Sequence, residues 1–162
     1  MELGEVLSTV GAAATPIGEL RFAIPLAMVK FNFHWYQAMF WAIIGNIIPV
    51  LILPWLLYRL GHIMTKFPQP LRGLLIWRTD ALKRKGSSWI IRYGRLGLIP
   101  FIAVPLPFTG AWTGCLAAWV FDIHPRKSIP MLILGVLGAA IIVTTLTELG
   151  ISISLFLGRE LK

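Results

Sequence analysis

The sequence predicts an all-α integral membrane protein built of two inverted repeats. Composition is the first observation: 57% of the 162 residues are hydrophobic, 14% are charged, and the mean hydropathy is +0.77. Soluble proteins average about 45–50% apolar and 25% charged residues. The other two observations are a pair of long apolar runs and a pair of shorter apolar runs broken by proline and glycine. The length predicts a single membrane domain, residues 1–162.

Two apolar runs are long enough to cross a bilayer. The first extends from Trp35 to Tyr58 and has aromatic residues at both ends, as expected where a helix meets the two membrane surfaces. The second extends from Ile129 to about Leu149. We predict a full transmembrane helix for each.

The first interrupted run predicts a re-entrant helical hairpin. Leu3 to Ala14 would form about 18 Å of helix, too short for a hydrocarbon core of about 30 Å. A second apolar segment, Phe22 to Phe33, follows it. The predicted breaking residues are Pro16, Gly18 and Pro25. The alternative is one long kinked helix from Leu3 to about Val29.

The second interrupted run lies between Trp89 and Phe121 and predicts another re-entrant hairpin. A helix entering from Trp89 should break near Pro105 and Pro107, and a second helix could begin at Phe108 or Thr109. Broken backbone at membrane depth is tolerated only where protein buries it or where it lines a wet cavity.

These elements recur in the same order. Phe31-Asn-Phe-His34 matches Phe121-Asp-Ile-His124 ninety residues later, and Gly45 then matches Gly135. Repeat one would cover about 3–60 and repeat two about 89–150, with a basic connector, 61–88, between them and a tail, 151–162, at the end. The connector is predicted to contain a short amphipathic helix or to be a solvated link.

The positive charge is concentrated around this connector. Nine of the 15 Lys and Arg residues fall in one stretch: Arg59, Lys66, Arg72, Arg78, Lys83, Arg84, Lys85, Arg92 and Arg95. Such clustering follows the positive-inside rule, predicts that 61–88 is cytoplasmic, and argues against nucleic acid as the partner. The two hairpins would then enter from opposite sides, a plan common among transporters.

Glu19, Arg21 and Arg95 are the charged candidates for a transport site. A carboxylate near the bilayer centre has its charged form disfavoured, so Glu19 could bind a proton or a cation. The structural alternative is a static ion pair. Residues two apart do not share a helical face, so we expect Arg95 to be a better partner than Arg21. Arg95 could instead bind phosphate or extend to the membrane surface.

Thr109, Gly110 and Gly114 are the candidates from the second hairpin. The N–H groups at the start of its second helix would suit an anion. The Gly-x-x-x-Gly spacing could equally serve close helix packing, and the two roles are compatible. Asp122, His34 and His124 are expected in turn and cap roles. With no nucleophile set, metal cluster or nucleotide loop, we predict a non-enzyme without cofactor or metal.

The chain resembles the putative small multidrug export protein family. The resemblance rests on Pro16-x-x-Glu19-Leu-Arg21-x-Ala-Ile-Pro25 and on the segment Pro105-Leu-Pro107-Phe-Thr-Gly-Ala-Trp-Thr-Gly114. That family is similar to the DedA-like, or VTT-domain, superfamily. The resemblance implies two facing re-entrant hairpins, a prokaryotic inner (cytoplasmic) membrane and a transport role. Ala103 stands where many DedA-type members carry a second arginine.

The sequence and the resemblance together predict a transporter or flippase that moves an anionic lipid or lipid-linked phosphate, coupled to protons through Glu19. The alternatives are proton-coupled efflux of small lipophilic cations and passive lipid scrambling. Membrane lipids are the expected partners, and so few spans favour a homodimer.

Overall fold

The computed structural model describes residues 2–64, 90, 92–104 and 110–160, and every regular element in these ranges is helical. The helices are α1 (Leu3–Ala14), α2 (Glu19–Lys30), α3 (Trp35–Met64), α4 (Leu98–Ala103), α5 (Ala111–Val120) and α6 (Pro125–Glu160), with a 3₁₀ turn (Gly94–Gly97) before α4. Most of the predicted connector, together with Pro105, Pro107 and Thr109, lies outside the described residues.

Two of these helices contain segments long and apolar enough to cross a membrane, Trp35–Arg59 in α3 and Pro125–Ser152 in α6. Both contain the runs predicted from the sequence. The helix α6 is longer than predicted, because it begins at Pro125 and continues past Leu149 to Glu160. Pro is well suited to the first position of a helix, where its missing N–H has no intrahelical partner to lose. The fold is therefore compatible with a membrane protein.

The chain forms two compact units. The first contains Met1–Asn46 and Ala139–Lys162, and the second contains Ile47–Gly138. Each unit thus holds one of the predicted hairpin regions with part of α3 and part of α6.

In the first unit, α1 and α2 are separate helices that pack against each other across a four-residue turn. They form a helical hairpin rather than one long kinked helix, and its re-entrant insertion into the membrane stays a prediction. Pro16 and Gly18 lie in the turn. Pro25, in contrast, lies inside α2 and does not break it. A proline within a helix removes one backbone hydrogen bond, and the buried neighbours Ile24, Ala27 and Met28 hold α2 together around it.

The hairpin packs on α3 through Gly45. A Cβ atom on this residue would overlap the Val10 carbonyl oxygen and stand 2.8 Å from the Ala13 Cβ, both in α1. Only a residue without a side chain lets the two backbones approach so closely.

In the second unit, α4 packs closely on α5 and α6 through Ile102. A Cβ atom on Gly114 of α5 would stand 2.6 Å from Ile102 Cδ1, and a Cβ atom on Gly135 of α6 would stand 2.8 Å from Ile102 Cβ. The helix α4 ends at Ala103 and Val104 is extended, as the residue preceding a proline should be. The predicted break therefore falls one residue before Pro105.

The matched motifs adopt the same local structure. The helix before each motif ends at Lys30 or Val120, and the helix after it begins at Trp35 or Pro125. Both His34 and His124 accept backbone hydrogen bonds from the first turn of the following helix through their carbonyl oxygens. The predicted cap positions are thus occupied as expected.

Candidate functional site

Glu19 is a buried carboxylate at the turn of the first hairpin. Its side chain is 8% exposed, and it is the first residue of α2. Its backbone φ is 48°, in the left-handed region that a glutamate rarely occupies. Residues held in such conformations cluster at functional sites, so Glu19 is the leading candidate in the described part of the chain.

The preceding turn fixes this conformation. Thr15 Oγ1 donates to the Ala12 carbonyl oxygen at 2.8 Å and accepts from the Gly18 N–H at 3.1 Å. The Glu19 N–H donates to the Thr15 carbonyl oxygen at 3.2 Å. A Cβ on Gly18 would stand 2.5 Å from the Ala12 carbonyl oxygen, so this position requires glycine. The contacts within the turn therefore hold the Glu19 backbone in one conformation.

Arg21 is half-buried and experiences the negative charge of Glu19. Helical spacing favoured Arg95 over Arg21 as the partner of Glu19, but the positive φ at Glu19 departs from helical geometry, so that spacing rule does not describe this pair. Arg95, the partner expected instead, belongs to the other compact unit, and its pairing with Glu19 stays a prediction.

Arg95 lies in the 3₁₀ turn ahead of α4, and its side chain is exposed. The turn begins at Gly94, whose φ of 57° suits glycine. Arg92, also exposed, has its guanidinium carbon 5.6 Å from the centre of the Tyr93 ring. Two exposed cationic groups thus precede α4.

The start of α5 differs in detail from the prediction. The helix begins at Ala111 with Gly110 as its cap, rather than at Phe108 or Thr109. The Gly110 carbonyl oxygen accepts from the Gly114 N–H at 2.7 Å and from Thr113 Oγ1 at 3.2 Å. Gly114 faces Ile102 and Leu132 at close range, which supports the packing role of the glycine spacing.

Two buried polar groups of the first unit are not among the site residues predicted from the sequence. Asn46 is 1% exposed and Thr144 is 5% exposed, and neither Asn46 Oδ1 nor Thr144 Oγ1 has a hydrogen-bond partner among the described residues. A buried polar atom without a hydrogen-bond partner lowers the stability of the fold, so each such atom needs an explanation. The signal available in the sequence was a polar side chain within a predicted span, which by itself suggests a functional position.

Thr144 also lines a groove in the first unit. The groove has a volume of about 370 Å³ and is lined by Trp35, Met39, Ile141, Thr144, Thr145 and Glu148. None of the predicted site residues that the structure describes lines this groove.

Comparison with known proteins identifies the family. A family model described as "Putative small multi-drug export protein" matches residues 19–142, about three quarters of the chain. The chain belongs to this family. The match begins at Glu19 and includes α2 to α5 and the first half of α6. No curated protein and no solved structure matches the chain. The wider likeness of this family member to the DedA-like superfamily stays a prediction.

Proposed function

We propose that this member of the small multi-drug export family is a membrane transporter that exports small organic cations in exchange for protons, with Glu19 as the group that binds the proton. The single observation that carries the proposal is the burial of the Glu19 carboxylate in a conformation that costs an ordinary residue about 1–2 kcal/mol. The hydrogen-bonded turn before Glu19 offsets this cost and holds the carboxylate in place.

The chemistry of Glu19 suits exchange. A buried carboxyl group can be neutral with a proton or neutralised by an organic cation, but a bare charge in apolar surroundings is unfavourable. Binding of one partner therefore favours release of the other. Arg21 moderates this exchange, because its positive charge lies near Glu19 and stabilises the carboxylate between the two bound states.

The architecture in the proposal is two re-entrant hairpins that enter the bacterial inner membrane from opposite sides. Its support is the matched local structure around Asn32 and Asp122, together with the two helices long enough to span. Because a single crossing separates the two motifs, a repeated unit would place its second copy upside down relative to the first.

The experiment uses the purified full chain in liposomes with an acidic interior and ethidium outside. We expect ethidium to accumulate inside, and the Glu19→Gln variant to accumulate at least tenfold less. Glu5→Gln is the matched control, because it also removes one carboxylate from the first unit while its amide oxygen can still accept from the Glu2 N–H, as Glu5 Oε2 does at 2.8 Å. Accumulation that survives in Glu19→Gln, or that needs no pH gradient, contradicts the proposal.

A second candidate function is movement of an anionic lipid, as the sequence predicted. The exposed guanidinium groups of Arg92 and Arg95 favour it, because arginine binds phosphate well and the two residues lie close together in the chain ahead of α4, Arg95 in the 3₁₀ turn and Arg92 just before that turn. Fluorescent phosphatidylglycerol in the same liposomes tests it. Movement that slows in Arg95→Gln and requires the pH gradient supports coupled lipid transport. Movement that is independent of the gradient and unchanged in Glu19→Gln indicates passive scrambling.

A further inference from the structure

The groove of the first unit is built from two helices. Trp35 and Met39 lie one turn apart at the start of α3, and Ile141, Thr144, Thr145 and Glu148 lie on α6 at spacings of three, four and seven residues. Such spacings place side chains on one face of a helix. The groove is therefore formed by one face of α3 and one face of α6.

The groove lies toward the ends of the two candidate spans. Trp35 is the first residue of one candidate span, and Glu148 is four residues before the end of the other, Ser152. This is the opposite end of α3 from the basic connector. Trp35 is 49% exposed, so a molecule that partitions into the membrane surface can reach its ring.

The lining chemistry is that of a site for an amphipathic cation. Trp is the best of the aromatic side chains for cation–π contact, and Met offers a flexible, polarisable surface that adapts to different shapes. Among the described residues that line the groove, Glu148 is the one charged residue and none is basic. A volume of about 370 Å³ is within the range of small-molecule sites.

Thr144 gives the groove an unused polar group. The hydroxyls of Thr145 and Thr147 donate to the carbonyl oxygens of Ile141 and Val143, four residues earlier, at 2.9 and 2.8 Å. Thr144 Oγ1 makes no such bond within the described residues although it is buried. The described residues therefore leave this oxygen available to a ligand that carries a hydrogen-bonding group.

We propose that this groove is a binding site for a lipophilic monovalent cation, held between the Trp35 ring and the Glu148 carboxylate. The role of this groove as a binding site for the exported molecule rests on the proposed function, whereas cation binding to the groove does not. Thr144, Thr145 and Glu148 lie beyond residue 142, so the family match does not include them. The site is distinct from Glu19, which is not among the residues that line it.

The test is binding of tetraphenylphosphonium to the full chain in nanodiscs of zwitterionic lipid. Tetraphenylborate, which has nearly the same shape and the opposite charge, is the matched probe. We expect saturable binding of the cation and none of the anion. Glu148→Gln should weaken cation binding about tenfold, because it removes the charge and keeps the shape. Glu5→Gln, which removes a carboxylate elsewhere in the first unit, should bind as the wild type does.

Trp35 provides a second measurement that does not depend on Glu148. Trp35→Leu should weaken binding about fivefold, whereas Trp35→Phe should retain most of it, because a ring remains. A third measurement uses Thr145→Cys in a Cys115→Ala background, where tetraphenylphosphonium should slow maleimide labelling. Equal affinity for the two probes, or unchanged affinity in both Glu148→Gln and Trp35→Leu, overturns the proposal.

The two proposals fail separately. If the wild type binds tetraphenylphosphonium through Glu148 but does not accumulate ethidium, the groove is a cation site and the transport proposal is wrong. If ethidium accumulates through Glu19 while Glu148→Gln and Trp35→Leu leave binding and transport unchanged, the transport proposal stands and the groove site is wrong.

Discussion

Asn32 and Asp122, ninety residues apart, have the same left-handed backbone conformation, with φ of 51° and 52°. Each lies two residues beyond the end of one helix and three residues before the start of the next. After each of them the chain donates back to the preceding helix, from the Phe33 N–H to Ala27 and from the Ile123 N–H to Ala118, at 3.0 and 2.8 Å. The weak sequence match between the two motifs therefore corresponds to a repeated turn with a left-handed residue, closed by a bond to the sixth residue back in the first copy and to the fifth residue back in the second.

Substitutions at Asn32 should change the free energy of unfolding according to how readily the new residue adopts a positive φ. Asn32→Val should lower the free energy of unfolding by about 1–2 kcal/mol, because a β-branched residue resists positive φ. Asn32→Gly should be neutral within a few tenths of a kcal/mol, because glycine adopts this conformation freely. Reversible unfolding in mixed detergent micelles, followed by circular dichroism, measures both. The same pair at Asp122 should give the same order, and a valine tolerated at both positions would argue against the repeated turn.

The close contact at Gly45 predicts how glycine substitutions change the stability of the fold. Gly45→Ala should destabilise the fold by about 1–3 kcal/mol, because the added methyl group would overlap the Val10 carbonyl oxygen, which backbone geometry fixes. Gly135→Ala should behave similarly against Ile102. Thermal unfolding in detergent measures the loss.

Gly11→Ala is the matched control for these variants. Nothing lies within 4 Å of a Cβ on Gly11, and this glycine is inside α1. Alanine there should stabilise the helix by up to about 1 kcal/mol. If Gly45→Ala proved as stable as Gly11→Ala, the close packing of α1 on α3 would be wrong.

The turn at Thr15 predicts an effect of one hydroxyl group. Thr15→Val keeps the shape and removes the oxygen that joins Ala12 to Gly18, so it should cost about 1 kcal/mol of stability and leave the Gly18 N–H without this partner. Thr15→Ser keeps the oxygen and should be close to wild type. Hydrogen exchange of the Gly18 amide reports the same difference locally, and equal exchange in the two variants would contradict the assigned turn.

The part of the fold that depends on local chemistry was predictable. Pro16 and Gly18 mark a turn because proline and glycine limit the backbone wherever they occur, and the aromatic ends of the run starting at Trp35 mark a span. The effect of Pro25 was predicted wrongly, since a helix supported by neighbouring helices can contain a proline. The contact between Gly45 and Val10 joins residues far apart in the chain, and no local pattern indicates it.

The candidate site was likewise predictable only in the part that depends on local sequence. Glu19 stood out as a carboxylate in an apolar run, but its left-handed conformation depends on hydrogen bonds within the turn, so a helical spacing rule could not describe its relation to Arg21. The groove needs Trp35 and Glu148 together, more than a hundred residues apart. Only the packing of α3 and α6 within the first unit brings their faces to one groove.

The proposed insertion of the two hairpins from opposite sides predicts opposite exposure of the two repeated turns. Cys115 is a buried free thiol, and Cys115→Ala removes the single native cysteine. In that background, Lys30→Cys and Lys127→Cys place a thiol at an exposed position beside each turn. The positive-inside rule predicts that a membrane-impermeant maleimide labels Lys30→Cys in intact cells and labels Lys127→Cys only in inverted vesicles. Labelling of both from the same side would mean that the two turns share one membrane face, and the repeats would then be parallel rather than inverted.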